Sequence, residues 1–167
     1  EISRYVDIDK IAFVLKNNAY GHGLLEMAML AKKNKIKNAI VINFEEAQKI
    51  SDFFTSVLVL SGIPEHKPMN NISIAINNIN DIEKIPLGSS VELKIDTGMN
   101  RNGVLIHELK DAINLIDRFE LNLVGIFTRF SNAFEDDGSM ENQKNIFDNI
   151  KAKINQDYPD RKIRFHC

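Results

Sequence analysis

The feature that most constrains the fold is an alternation of short apolar segments with longer helical patterns. Seven segments are rich in valine, isoleucine and leucine and show little polar alternation, which is typical of strands covered on both faces. We predict strands over residues 11–16, 39–43, 56–62, 72–77, 91–96, 121–130 and 162–167. Helical patterns lie over residues 24–34, 44–54, 105–119 and 140–156, with room for only a short helix at 80–84.

Several of these helices have recognisable end or face signals. Asn43 precedes the helix over 44–54 and Glu46 follows three residues later, which is the spacing of a capping box. Ser139 is predicted to cap the last helix, because serine is a favoured residue at that position. The helix over 105–119 places four apolar residues on one face, namely Leu109, Ala112, Ile113 and Ile116.

The order of elements predicts an α/β fold with a parallel sheet in a single domain over residues 1–167. Seven strands leave two arrangements open: a doubly wound sheet, or a (β/α)8 barrel that stops one strand early. A barrel without its eighth strand would leave two unpaired edges. We therefore expect either a fragment of a longer protein or a fold that other segments complete.

Composition restricts the partners. Lysine plus arginine total 21 against 23 acidic residues, so no basic field for nucleic acid is expected. The longest apolar stretches, such as residues 57–60, are too short to span a bilayer, and we predict no membrane partner. The single cysteine, Cys167, excludes an internal disulfide and indicates a reducing, cytoplasmic location. The four histidines show no metal-ligand spacing, so no metal is predicted.

The segment FVLKNNAYGHG, residues 13–23, places a lysine at the end of a predicted strand. Chemistry in parallel α/β proteins collects at the carboxyl ends of strands, and a desolvated lysine can form a Schiff base with a carbonyl. Tyr20 follows Lys16 in the loop, and its hydroxyl is placed to reach a phosphate oxygen. Gly21 and Gly23 allow close backbone approach before a helix that begins near Leu24. The alternative is a lysine that extends to solvent beside an ordinary glycine turn.

The segment VELKIDTGMNRNGV, residues 91–104, ends a second predicted strand in charged residues. Lys94 and Asp96 are two positions apart and therefore point to the same face of the strand. Because an unpaired buried ammonium is costly, either Lys94 pairs with Asp96 or a modification alters its charge. Arg101 then supplies a permanent cation. A surface salt bridge on a loop is the alternative.

These two segments and a third, GIFTRFSNAFEDD at residues 125–137, together resemble the alanine racemase family, which is fold-type III and dependent on pyridoxal 5'-phosphate (PLP). The family patterns K-x-N-A-Y-G-H-G and K-x-D-T-G-M-x-R-x-G are both complete here, and the closing FHC resembles the approach to H-x-x-N-S-A. The resemblance covers essentially the whole chain. It implies an incomplete (β/α)8 barrel of the TIM type, without the family's C-terminal β domain.

The resemblance also implies roles for individual residues. Lys16 would form the Schiff base with PLP and act as the base on one face of the substrate, and Tyr20 would hydrogen-bond the cofactor phosphate. Arg101 would lie beside the cofactor's phenolic oxygen and the substrate carboxylate. Lys94 matches a lysine that is often carbamylated in the family. Arg129 is a departure, because the family has a histidine at that position.

The function implied by the resemblance is PLP-dependent interconversion of L- and D-alanine for peptidoglycan, in a homodimer. The family's second acid/base group is a tyrosine of the partner's C-terminal domain, and none of Tyr5, Tyr20 or Tyr158 lies in a matching motif. We therefore expect the 167-residue chain alone to be weakly active or inactive.

Three alternatives remain open. A racemase for serine or a wider range of amino acids would share the same motifs. A non-catalytic PLP-binding barrel protein would share the lysine, although D-T-G-M-x-R is not the pattern of that group. The chain alone could also be only a folding or interaction module.

Overall fold

The computed structural model describes residues 4–167 and divides the chain into two compact units, one up to Ala75 and one from Ile76 to Cys167. The boundary falls at the end of the fourth strand. Each unit is built from strands that pair in parallel with their neighbours in chain order. This pairing is the one expected when helices or loops connect successive strands.

The first unit contains four strands and three helical segments. The strands are β1 (Ala12–Val14), β2 (Asn38–Val41), β3 (Ser56–Val59) and β4 (Ile72–Ile76). The helical segments are a single turn, α1 (Lys16–Tyr20), and two right-handed helices, α2 (Leu24–Lys33) and α3 (Phe44–Ile50). Short 3-10 turns lie at Ile8–Lys10 and Ser51–Phe53.

The core of this unit forms where the strands meet the inner faces of α2 and α3. Its fully buried members are aliphatic side chains and alanines, including Leu15, Ala28, Val41, Ala47, Ile50, Val57 and Val59. The cap predicted for α3 is confirmed, because Asn43 Oδ1 accepts a hydrogen bond from the Glu46 backbone N–H at 2.9 Å. The cap fixes the start of α3 directly after β2.

The second unit contains three strands and two long helices. The strands are β5 (Ser90–Lys94), β6 (Asn122–Phe127) and β7 (Arg164–His166). The helices are α4 (Leu109–Arg118) and α5 (Ser139–Asp157), with 3-10 turns at Ile79–Lys84 and Ile106–Glu108. The apolar face predicted for α4 is confirmed, since all four of its members are buried: Leu109, Ala112, Ile113 and Ile116.

The predicted boundaries differ from the structure at several ends. The strand predicted over 11–16 ends at Val14, and Lys16 is the first residue of α1. The strands predicted over 91–96 and 121–130 end at Lys94 and Phe127; beyond those points Asp96 accepts a loop N–H and the Thr128 hydroxyl donates to the Ile95 carbonyl. The helix predicted at 80–84 is a 3-10 turn that begins at Ile79.

The predicted cap at Ser139 is wrong, because α5 begins at Ser139 itself. Asp137 takes the capping role, since its Oδ1 accepts a hydrogen bond from the Ser139 backbone N–H at 2.9 Å. Gly138 lies between them with a φ of +74°, a left-handed conformation that glycine adopts without steric cost. An aspartate two residues before the helix therefore competes successfully with the serine.

Among residues 4–167, no helix combines the length and the apolar character needed to cross a bilayer. Over the same residues, no group of three or more His, Cys, Asp and Glu side chains is arranged to hold a metal ion.

Candidate active site

The turn that follows β1 has an unusual backbone. Asn17, Asn18, Ala19 and Tyr20 all have φ between 52° and 55°, so α1 is a left-handed helical turn made entirely of non-glycine residues. A left-handed conformation costs roughly 1–2 kcal/mol per residue, because Cβ approaches the following carbonyl oxygen. The sequence predicted a loop between Lys16 and the helix near Leu24, and nothing in the motif indicated the left-handed turn.

Hydrogen bonds hold this turn from inside and outside. Ala19, which is almost completely buried, donates its N–H to the Leu15 carbonyl at 2.8 Å. Asn18 has two roles: its Oδ1 accepts the Leu24 N–H at 2.8 Å, and its own N–H is donated to Glu46 Oε1 at 2.7 Å. The turn is therefore tied both to the start of α2 and to a side chain of α3.

Lys16 and Tyr20 lie on the same side of the turn. The Nζ atom of Lys16 is 5.7 Å from the centroid of the Tyr20 ring, and the tyrosine is 61% exposed. Lys16 is half-buried. An amine and a phenol hydroxyl are thus presented together next to an accessible surface.

Gly23 ends this segment and has a backbone conformation that favours glycine. Its φ is +93°, which residues with a side chain rarely adopt, whereas the nearest atoms to a Cβ there belong to the exposed, flexible side chain of Glu26. This conformation lets α2 begin at Leu24, directly after the turn.

Lys94 is the last residue of β5 and is only 7% exposed. Its Nζ donates a hydrogen bond to Asn102 Oδ1, and the Asn102 amide donates to Asn77 Oδ1 at 3.1 Å. The Asp96 carboxylate accepts hydrogen bonds from the N–H groups of Gly98 and Asn100, at 2.9 and 3.1 Å. Within the described chain, no carboxylate lies within 4.0 Å of the Lys94 amine, so the predicted alternative of a direct Lys94–Asp96 pair is not formed.

The charges around Lys94 are predominantly positive. Its pKa is lowered because burial removes water from the ammonium and because the Arg101 guanidinium repels it, with Asp96 acting in the opposite sense and Arg129 adding to the repulsion. Burial alone would raise the pKa of Asp96. The hydrogen bonds that its carboxylate accepts from backbone N–H groups and the positive charge of Lys94 together lower this pKa. Arg101 and Arg129 are both exposed. This side of the second unit is therefore suited to an additional anion.

A buried glutamine organises the loop after β6. Gln143 of α5, 3% exposed, accepts hydrogen bonds on Oε1 from the N–H and hydroxyl of Ser131, at 2.8 and 3.0 Å. Its Nε2 donates to Thr97 Oγ1 at 3.2 Å and to the Arg129 carbonyl at 3.1 Å. The Thr97 and Thr128 hydroxyls are 2.7 Å apart. Gln143 thus joins the loop that follows β5 to the loop that bears Arg129. The sequence analysis missed this residue, because it lies in a helix and belongs to none of the quoted motifs.

Glu92 is a second functional group that the sequence analysis missed. Its carboxylate is fully buried and contacts Arg164 Nη2 at 2.6 Å and His166 Nε2 at 2.7 Å. The His166 ring stacks on Phe127 with ring centroids 5.0 Å apart. Gly125 makes room for this cluster, since a Cβ atom there would collide with the Glu92 carboxylate.

Comparison with known proteins identifies the family. The profile described as "Alanine racemase, N-terminal domain" matches residues 1–167. The chain belongs to the alanine racemase family. It is 40% identical over 146 residues to the alanine racemase of Nitratiruptor sp., covering 87% of this chain and 43% of that protein. The chain thus spans about half the length of the curated relatives that it matches.

Solved structures of two racemases share the fold. The alanine racemase of Clostridium difficile 630 matches with a TM-score of 0.81 at 25% identity, over 98% of this chain and 47% of that one. A histidine racemase from Leuconostoc mesenteroides subsp. sake matches with a TM-score of 0.68 at 25% identity, over 81% and 41% of the two chains. The chain has seven parallel strands. The prediction of an α/β fold, in the form of a TIM-type (β/α)8 barrel with fewer than eight strands, is therefore confirmed.

Proposed function

We propose that the protein containing this chain is an alanine racemase that uses PLP to interconvert L- and D-alanine for peptidoglycan. The observation that supports this most directly is the Lys16 amine, 5.7 Å from the Tyr20 ring, in a family motif at the end of β1. By the same resemblance, the complete protein is a cytoplasmic homodimer.

The chemistry of the residues fits the cofactor. PLP has an aldehyde that a lysine amine can bind covalently and a phosphate that a phenol hydroxyl can hydrogen-bond. Lys16 and Tyr20 supply these two groups from one turn. When bound, the cofactor draws electrons from the substrate Cα and makes its proton removable.

The proposed role of Lys16 is to hold the cofactor and then to move the Cα proton on one face of the substrate. Racemisation needs a second acid/base group on the opposite face. The family resemblance assigns that group to a tyrosine outside these residues, in the partner's C-terminal domain. The chain would therefore supply one half of the proton-transfer machinery.

The proposed role of Arg101 is to bind anionic groups, namely the cofactor's phenolic oxygen and the substrate carboxylate. The Arg101 and Arg129 guanidiniums both lower the pKa of Lys94, and the Asp96 carboxylate opposes them, so the charge around Lys94 is mainly positive and an anion could balance it. Because Arg129 is a guanidinium where the family has histidine, its charge stays fixed at all physiological pH values.

A carbamate on Lys94 is part of the proposal. A neutral lysine amine adds to carbon dioxide, forming an N–C bond and releasing one proton, and so becomes an anion. The lowered pKa of Lys94 favours the neutral amine that this reaction requires. Carbon-13 NMR in labelled bicarbonate should give a carbamate signal that is lost in Lys94→Met. If the chain without the substitution gives no carbamate signal, the carbamate proposal is contradicted but the use of PLP is not.

The experiment that tests the cofactor assignment is chemical trapping. The protein is mixed with PLP, reduced with borohydride and digested, and the labelled peptide is identified by mass spectrometry. We expect the label on Lys16 and its loss in Lys16→Ala. The control is Lys10→Ala, because Lys10 is an exposed lysine in the same unit that pairs with Asp7. Labelling that survives Lys16→Ala would contradict the proposal.

A racemase for another amino acid is the second candidate, and the match to a histidine racemase favours considering it. Exchange of the Cα proton for deuterium, measured for alanine, serine and histidine with the complete protein, separates these substrates. Fastest exchange with alanine is expected. PLP binding without any exchange would indicate a non-catalytic PLP-binding protein instead.

A further inference from the structure

We propose that Glu46 is a positioning residue that holds the left-handed turn α1, and with it Lys16 and Tyr20, in the conformation that receives the cofactor. The effect of Glu46 on cofactor binding rests on the proposed function, whereas the hydrogen bond between Glu46 and the turn does not depend on any cofactor. It assigns a role to a side chain on α3, 30 positions from the lysine in the sequence.

The need for such a residue follows from the backbone of α1. Four successive non-glycine residues adopt left-handed φ values, and one of them is a buried alanine. L-residues avoid this conformation, and stretches of several such residues persist only where surrounding structure imposes them. Without an external contact, the turn would relax and Lys16 would lose its fixed relation to Tyr20.

Glu46 supplies that contact with both carboxylate oxygens. Oε1 accepts the Asn18 N–H at 2.7 Å, at the centre of the turn, and Oε2 accepts the Ile42 N–H at 3.1 Å, just beyond β2. Hydrogen bonds to an ionised acceptor are stronger than those between neutral groups. One side chain therefore connects the turn after β1 to the end of the neighbouring strand.

The carboxylate is itself held in place. Asn43 caps α3 by accepting the Glu46 N–H at 2.9 Å, so the backbone of Glu46 is fixed before its side chain reaches Asn18. Within residues 4–167, Glu46 provides the single side-chain hydrogen bond that reaches α1 from outside residues 15–24. The remaining bonds of the turn are local, such as Ala19 N–H to the Leu15 carbonyl.

The chemistry of the acceptor makes glutamine an informative replacement. A carboxylate accepts both N–H groups at once, whereas an amide has one oxygen and an NH2 group that faces a donor. Glu46→Gln therefore retains the size of the side chain and loses one of the two hydrogen bonds. Glu45 provides the matched control, because it is adjacent and exposed and, among the described residues, its carboxylate bonds only to Lys49 on the same helix, at 2.6 Å.

The first measurement uses the chain without cofactor. We expect Glu46→Gln to accelerate amide hydrogen exchange in the peptide covering residues 16–21 at least ten-fold, and Glu45→Gln to leave it unchanged. The thermal midpoint should stay within a few degrees in both variants, because the rest of the core is untouched. Unchanged exchange in Glu46→Gln, or global unfolding of that variant, would overturn the inference.

The second measurement is the affinity for PLP, followed by absorbance titration and by borohydride labelling of Lys16. We expect affinity to fall about ten-fold in Glu46→Gln and to remain at the unmodified value in Glu45→Gln. Equal affinity in all three chains would overturn the inference. If the complete protein without either substitution does not bind PLP while the exchange result holds, the proposed function fails and the structural role of Glu46 stands.

Discussion

Gly103 lies where the loop after β5 returns to the strand, and it has no room for a side chain. Its φ is +134°, and a Cβ atom would lie 2.7 Å from the Asp96 N atom. The Gly103 N–H is donated to the Asn77 carbonyl at 2.9 Å, and Val104 donates to the Lys94 carbonyl at 2.8 Å. The backbone conformation of Gly103 therefore fixes the position of the loop relative to Lys94 and Asp96.

We expect Gly103→Ala to lower the free energy of unfolding by roughly 1–3 kcal/mol, because backbone strain adds to a clash with immovable main-chain atoms. Gly138→Ala is the control, since Gly138 also has a positive φ but a Cβ atom there meets nothing within 4 Å. Urea denaturation measures both. Equal losses in the two variants would mean that the clash contributes nothing.

The second prediction at the residue scale concerns pH and Lys94. Because the pKa of Lys94 is lowered from 10.5 in the folded chain, the unfolded chain binds more protons between the lowered value and 10.5. The contribution of Lys94 to stability is therefore unfavourable at neutral pH, and it becomes less so as pH rises through that window.

Lys94→Met should accordingly be more stable than the unmodified chain at pH 7, by an amount on the order of 1 kcal/mol. The difference should shrink as pH approaches 10.5. Denaturation in buffers free of carbon dioxide, at several pH values, measures it. A difference that grows with pH would show that the sign is wrong.

Sequence reasoning reached the chemically reactive residues but not their backbone or their supports. Lys16 and Lys94 were identified because a complete motif surrounds each of them. The left-handed conformation of Ala19 was not, because alanine favours a right-handed helix and the contacts that oppose this preference, such as the one between Asn18 and Glu46, are tertiary. Glu92 was missed because alternation along a strand does not distinguish a buried ion pair from a solvated charge.

At the scale of elements, α5 is joined to the rest of the second unit by a polar contact as well as by its apolar face. Gln143 uses all of its hydrogen-bonding groups on Thr97, Arg129 and Ser131. The apolar face contributes Phe147, Ile150 and Ile154, which are buried. The helix thus fixes two loops whose residues belong to the candidate site.

We expect Gln143→Leu to lower the free energy of unfolding by about 2–4 kcal/mol, because it leaves several buried polar groups without partners. Gln156→Leu on the same helix is the control, because Gln156 is exposed. Chemical denaturation of the two variants gives the comparison. A loss below that of the control would show that the network is not structurally important.

The sequence predicted which segments are helices and which are strands better than it predicted where each one begins and ends. The amphipathic face of α4 and the cap of α3 followed from spacing, which depends only on helix geometry. The ends of the strands did not follow from spacing, because the residue at which strand pairing stops depends on which loop groups hydrogen-bond to the next polar side chain. Asp96 illustrates this, since its carboxylate binds loop N–H groups just beyond β5.

At the scale of the whole molecule, the chain spans less than half of the Nitratiruptor relative, at 43% of its length. Alternation of strands and helices predicted the α/β class, but seven strands were compatible with either an open sheet or a barrel. Periodicity could not choose between them, because both arrangements bury strands on two faces. Similarity to solved structures decided it.

We predict that the 167-residue chain with PLP produces D-alanine weakly or not at all. Lys16 is proposed to move the proton on one face of the substrate. No residue of this chain is assigned to return a proton on the other face. Chiral chromatography of L-alanine incubations measures the product, with Lys16→Ala as the background. Robust turnover that disappears in Lys16→Ala would contradict the prediction.

The space that Gly125 leaves for Glu92 links two positions on neighbouring strands. Enlarging residue 125 would expel the acid, and the guanidinium and imidazole of β7 would then face each other without an intervening anion. A larger residue at position 125 is consequently tolerated only with a smaller one at position 92. Descendants of this sequence that enlarge residue 125 should therefore also change residue 92.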